Sequence, residues 1–453
     1  MSGRRRVALA AGALGLTLAA LGGFAGAQMA LPHHPLGGPT PAEMLTQPIP
    51  DSAPNAAQLR QGQYLVRAGD CVSCHMRPGG APLAGGLGLK TPFGVIFSSN
   101  ITPDAETGIG RWTPDQFYAA MHDGHGARGE NLYPAFPYPW FRRMSRADDD
   151  AVLAYLKSTP PVRYSPPGNR LPFPLNLRFM VKGWNLLFLK SHDFQPDPGQ
   201  SAEWNRGAYL VNGPGHCGGC HTPKNLLGAD KGGQDFRGGV LDNWTAPDLT
   251  ANPRTGLGAW SVDDVAHFLK TGRNAHANAG GAMADVVSWS TSLMDDADLR
   301  AIAVYLKSRP AAPEGAAGQA DPAALKRGAQ IYSDACASCH LENGVGQPGY
   351  IPPLGRNAVV QQGDATGLTH LILAGSRTAP TPTYPSPLTM PAFAWKLSDR
   401  EIADVATYVR QSWGNGAAPV PAGKVGKLRR ALGLDKPQLT ENSGDQNRDG
   451  GGR

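Results

Sequence analysis

One pentapeptide pattern constrains this chain more than any other feature, and it occurs three times: Cys71-Val-Ser-Cys74-His75, Cys217-Gly-Gly-Cys220-His221 and Cys336-Ala-Ser-Cys339-His340. C-x-x-C-H is the attachment signal for a c-type haem. Residues three apart share one helix face, so both sulfurs reach the same edge of a macrocycle, and the adjacent His is placed to become the proximal iron ligand. A single copy would also fit a zinc site or a redox dithiol. Three copies, each behind a similar upstream segment, point to three covalent haems. The chain has six cysteines, and all fall in these motifs, so none remains for a disulfide or a nucleophile.

The length of 453 residues accommodates several domains, and three motifs make three haem domains the natural count. The expected fold is mainly α, with three tandem domains that are loop-rich around their haems. The 58 Gly and 41 Pro suit such loops, because a haem supplies apolar core surface that regular structure need not.

Arg4-Arg5-Arg6 followed by the apolar run Val7 to Ala25 and the A-x-A site Ala25-Gly-Ala27 reads as a secretory signal over 1–27, cleaved near Ala27. An uncleaved membrane anchor is the alternative. Either places the haem domains on the outer side of a bacterial inner membrane, in the periplasm. Of 42 Lys and Arg against 36 Asp and Glu, the signal removes three Arg. Two propionates per haem then bring the mature protein close to neutral, so the basic balance is no argument for nucleic acid.

Residues 28–57 form a Pro-rich lead-in. The first domain is expected over 58–160, an apolar connector over 161–200, the second domain over 201–310, and an Ala/Gly/Pro linker over 311–322. The third domain spans 323–413, and 414–453 hold a short basic helix (Lys424 to Leu434) and a polar tail. The repeats set these bounds. Gly62, Gly207 and Gly328 recur in the opening helices, where a small residue lets another helix cross closely. Apolar stripes ending in Tyr155, Tyr305 and Tyr408 mark the closing helices. The first two domains share a further segment, Asn100 to Asp115 and Asp248 to Asp263, in which Thr113 and Ser261 are expected helix N-caps. The third lacks it. The connector run Leu177 to Leu189 is too short to span a bilayer. It either packs on a domain or contacts a partner or membrane surface.

Each iron needs a sixth ligand or an open site. Met closes the site and raises the potential. Met283, in Gly280-Gly-Ala-Met-Ala, fits the second domain, and Met390, in Leu388-Thr-Met-Pro-Ala-Phe, fits the third. In the first, Phe136 stands where a Met would be convenient. Met144 is the preferred ligand there, with Met121 and His125 behind it; its alternative role is core packing, as for Met294 at the matching position.

The chain resembles the tri-haem cytochrome c subunit of membrane-bound periplasmic dehydrogenases of the acetic-acid-bacterial type. The resemblance rests on Asn100-Ile-Thr-Pro-Asp104, Tyr133-Pro-Ala, Gly183-Trp-Asn-Leu-Leu187, Ser201-Ala-Glu-Trp-Asn-Arg-Gly207, Gly215 to Asn225 and Tyr408-Val-Arg-Gln-Ser-Trp-Gly414. It implies an electron-transfer subunit, not a catalytic one. Such a subunit takes electrons from a large quinone-, flavin- or molybdenum-dependent dehydrogenase subunit and passes them to membrane ubiquinone, with a small third subunit as a further partner. Phe136 departs from the family pattern, in which many members carry the first axial Met there. It keeps a competing reading open, a peroxidase or thiosulfate-oxidising haem enzyme with an open first haem. A free periplasmic electron shuttle is the third reading.

Overall fold

The structure, a computed structural model, describes residues 40–190, 193–313 and 317–435. The expected signal segment, the first part of the lead-in and the polar tail lie outside the described residues.

The described residues are helical and loop-rich, in three units built on one plan. Each unit opens and closes with a helix, and the two cross at the repeated glycine. The pairs are Ala56–Ala68 with Arg146–Ser158, Ala202–Asn212 with Asp296–Lys307, and Pro322–Ala335 with Asp399–Gln411. A Cβ on Gly62 would stand 1.9 Å from Ala151 O, one on Gly207 1.9 Å from Ala301 O, and one on Gly328 2.3 Å from Asp404 O. No side chain fits at those distances, so glycine fixes the crossing point three times.

Side-chain caps start the helices, at Thr113 and Ser261 as the sequence predicts and at three serines besides. The hydroxyls of Ser145, Ser201 and Ser398 each accept a hydrogen bond from a first-turn N–H. Thr113 and Ser261 form capping boxes with Gln116 and Asp264 at the starts of Pro114–Asp123 and Val262–Thr271. Such caps satisfy N–H groups that a helix leaves unbonded. The first two units also carry matching antiparallel hairpins, Gly88–Thr91 with Gly94–Phe97 and Arg237–Leu241 with Trp244–Asp248. A two-residue ladder, Ser376–Arg377 with Thr389–Met390, serves the third.

Each unit has its own apolar core. Leu65, Val66, Leu153 and Leu156 lie in the first, Leu210, Val211, Leu299 and Leu306 in the second, and Leu373, Ile402, Ala406 and Val409 in the third. Two segments contribute more than their composition indicates. Within the lead-in, Pro41–Thr46 is a helix whose Met44 and Leu45 enter the first core, and Tyr155 Oη donates to Met44 O at 2.7 Å. The basic helix, Ala422–Ala431, buries Val425 and Leu428 in the third core.

The first two units face each other about a local pseudo-twofold. Tyr64 donates to Asp298 across the interface, and the matching Tyr209 donates to Asp148. Trp140 of the first unit packs into the second core, while Trp289 and Leu293 of the second pack on the first. The third unit meets the second along another seam. There the Trp244 indole stacks on the His370 imidazole with ring centroids 3.8 Å apart.

Candidate haem-binding sites

All three C-x-x-C-H segments form single helical turns just after the opening helix: Cys71–Cys74, Gly218–His221 and Ala337–His340. Each turn closes on itself, the His N–H donating to the O of the first Cys at 2.9, 3.0 and 3.0 Å respectively. The spacing therefore sets both thiols and the imidazole on one short element, as the sequence predicts.

Each His is fixed in the same way. Nδ1 of His75 lies 2.7 Å from Ser99 O, Nδ1 of His221 is 2.7 Å from Pro247 O, and Nδ1 of His340 is 3.3 Å from Pro352 O. A carbonyl only accepts, so Nδ1 carries the proton and Nε2 is left with its lone pair. That is the tautomer an iron ligand needs, oriented by its neighbour. Burial lowers the pKa of all three rings and keeps them neutral.

The thiols match this picture. Burial pushes Cys71, Cys74 and Cys217 up to about 12 and Cys336 up to about 11. None of the six is paired with another. The half-buried, uncharged sulfurs of Cys71, Cys217 and Cys336 suit thioether bonds to a macrocycle better than a zinc thiolate centre, which needs ionised sulfur. Among the described residues no three His, Cys, Asp or Glu side chains converge as on a bare metal ion. The donor set fits haem in all three units.

The candidate sixth ligands differ in setting. Met283, at the start of Ala282–Trp289, is half-buried beside a small apolar cluster of Ala279, Ala284, Val287 and the third unit's Ala379. Met390 is half-buried on the third core, in register with Ser376. Met144 is 4% exposed in the first core, close to Gly213 of the second unit. Its counterpart Met294 is equally buried in the second core. Met121 is buried in the first core, Phe136 packs on that core with its ring 5.6 Å from Phe141, and His125 is exposed. His122 is already engaged, its Nε2 2.7 Å from the buried Asp149 carboxylate.

The sites are neighbours. Cys220 of the second unit lies close enough to Cys74 to help raise its pKa across the first seam, after burial and Asp70. Trp140 covers Gly218, where a Cβ would fall 2.1 Å from the indole. At the second seam, a Cβ on Gly280, in the Met283 loop, would fall 2.6 Å from Ser376 Oγ, and Ser376 is the residue paired with Met390. These cross-unit contacts have no local sequence signal.

Comparison with known proteins gives the same direction. The cytochrome c family model matches residues 325–413. The cytochrome c subunit of a quinone alcohol dehydrogenase from Gluconobacter oxydans is 43% identical over 393 residues, covering 82% of each chain. The cytochrome c subunit of a gluconate 2-dehydrogenase from Pantoea cypripedii is 40% identical over 408 residues, 84% of this chain and 92% of that one. One of the subunits of a nicotinate dehydrogenase from Pseudomonas putida is 43% identical over 377 residues, 81% of this chain, but they span only 31% of that protein's length.

Proposed function

This chain belongs to the family of cytochrome c subunits of dehydrogenase complexes, electron-transfer subunits and not catalytic ones, and on that premise we propose that it is a three-haem relay. It would take electrons from a large catalytic dehydrogenase subunit and deliver them to membrane ubiquinone on the periplasmic side. The observation that carries the reading is the threefold repetition of one site: a C-x-x-C-H turn after a Gly-crossed helix, with the His held by a backbone carbonyl. All three units are read as cytochrome c domains, each with covalent haem on its two Cys and with His75, His221 or His340 as proximal ligand.

Haem supplies one-electron storage when bound; the protein's part is spacing and poise. Contacts at both seams set the second unit between the other two, which supports a relay that runs through the second haem. Met283 and Met390 are the proposed sixth ligands of the second and third haems, and Met144 that of the first. Thioether ligation raises the potential and closes the iron to small substrates, as outer-sphere transfer requires.

The connector supplies the proposed membrane contact. Met180–Phe188 is a helix with only Val181 buried. Leu186 is 87% exposed and Leu187 68%, and Leu226 of the second unit is 95% exposed on the loop where Trp184 Nε1 donates to Leu227 O at 3.0 Å. Lys182 and Lys190 flank this face and are exposed. Apolar side chains ringed by cations suit an anionic bilayer surface. No described helix is long and apolar enough to cross a membrane.

Purification from detergent-solubilised membranes tests the reading. A dehydrogenase subunit should co-purify, and its substrate should reduce all three haems and then added quinone. A haem protein that purifies alone and consumes peroxide or thiosulfate would overturn it.

A further inference from the structure

We propose that Arg273 binds a haem propionate carboxylate at the seam between the second and third units. The inference rests on the reading that both units carry haem. Arg273 leaves the second unit directly after Gly272, the left-handed C-cap of Val262–Thr271, and reaches across the seam. Its Nη2 donates to Thr378 Oγ1 at 3.0 Å and to Ser386 O at 3.3 Å, and its Cζ lies 4.5 Å over the Tyr384 ring.

The residue is 3% exposed, and its Nε is buried with no hydrogen-bond partner. Among the described residues no carboxylate pairs with it, whereas Arg206, Arg327 and Arg429 reach Asp298, Asp404 and Asp399. Arg410, also deeply buried, uses its Nε on Ala418 O and its Nη1 on Val360 O. A guanidinium stays charged in a protein, and a buried charge facing only neutral acceptors is costly unless an anion completes it. Nε beside an Nη forms the fork that takes a carboxylate bidentately. Asn278 Oδ1, on the same turn, is also unpaired, but it is an acceptor and plays no part in holding an anion.

The position ties the site to haem and not to a stray anion. Arg273 begins the turn that runs into Gly280 and Met283. Its acceptors lie on the loop that closes the Met390 hairpin, where Thr378 Oγ1 also accepts from Leu388 N at 2.9 Å. The guanidinium thus sits between the segments carrying both proposed sixth ligands. The carboxylate has two sources, a propionate of the second haem or one of the third.

The test is a redox titration of the full three-haem protein and its Arg273→Gln and Arg273→Lys variants. A positive charge beside a haem favours the reduced state. Arg273→Gln should therefore lower the potential of one haem by about tenfold in its equilibrium, 59 mV for one electron, and Lys should restore most of it. Combining Arg273→Gln with Met283→Ala or with Met390→Ala identifies the haem, because each Met change marks its own wave. If those Met changes mark no wave, the ligation reading fails while the Arg273 shift can still be read. A haem-loaded structure gives a check that needs no variant. A propionate oxygen within about 3.2 Å of Arg273 Nε is expected. Unshifted potentials in Arg273→Gln, or a haem-loaded structure with no propionate on the guanidinium, would overturn the proposal.

Discussion

Tyr64 donates its hydroxyl to Asp298, 234 residues away, and the matching Tyr209 returns the contact to Asp148. The two pairs hold the opening helix of each of the first two units to the closing helix of the other. Arg206 adds a two-pronged ion pair to Asp298, at 2.8 and 2.7 Å. The third unit has Gln330 at the matching position and joins the second by a different seam. The first two units are therefore a reciprocal pair, and the third is an addition.

This pairing should be measurable. Tyr64→Phe removes one hydrogen bond but leaves Asp298 on Arg206, so a loss of about 1 kcal/mol is expected. Asp298→Ala strands both partners and should cost roughly 2 kcal/mol. Burial opposes the ionised form of Asp298, but the Arg206 and Tyr64 hydrogen bonds together outweigh it and hold its pKa below the usual value. A depressed carboxylate pKa stabilises the fold above the unfolded-state value, near 4, and that contribution is lost as pH falls through the folded value. Thermal unfolding of wild type and Asp298→Ala should thus converge below about pH 4. A difference between the two proteins that persists unchanged well below that pH would show that the ionised pair is not its source.

Covalent attachment at all three motifs predicts that denatured protein keeps its colour and that its mass exceeds the mature polypeptide by three haems. Cys220→Ala should loosen one haem and damage the second unit, because the turn Gly218–His221 packs under Trp140 of the first. Two haems or fewer in fully matured protein would contradict the threefold reading.

Changing Leu186, Leu187 and Leu226 to Ser tests the membrane contact. These side chains are exposed, so the fold should tolerate the change. Removing three apolar chains from a lipid interface should cost several kcal/mol of binding, at roughly 2 kcal/mol each. The variant should shift from the membrane to the soluble periplasmic fraction and slow quinone reduction, with the haem spectra unchanged. Unaltered partition and rate would make the helix a mere spacer.

The parts legible in the sequence were those whose cause is local. The C-x-x-C-H turns, the caps at Thr113 and Ser261 and the crossing glycines each depend on a few adjacent residues. The helix Pro41–Thr46 was hidden because it repeats nowhere, and only Met44 and Leu45 reveal it by entering the core. The Tyr64–Asp298 pair was hidden for another reason: pairing across units depends on how the units dock, not on adjacent residues. Arg273 is one arginine in a polar turn until the third unit buries it. Docking also decides how Met144 is read, since Gly213 of the second unit lies beside it.

Met144 carries the last prediction. Phe136 has no lone pair, so a haem in the first unit would take its sixth ligand elsewhere or stay open, and Met144 is the proposed thioether. Its counterpart Met294 is an internal control, buried alike in a unit whose own ligand is proposed to be Met283. Either Met→Ala change opens a cavity and should destabilise its unit by about 2–5 kcal/mol. Only Met144→Ala should also remove one third of the thioether-to-iron charge-transfer absorbance and lower the first haem's potential, with that haem still attached through Cys71 and Cys74. Met294→Ala should leave the band intact. If both variants lose stability alike and neither changes the band, Met144 is packing, as Met294 is. Met121 and His125 would then be the remaining ligands to test, and a high-spin first haem in the wild type would favour an open, reactive site.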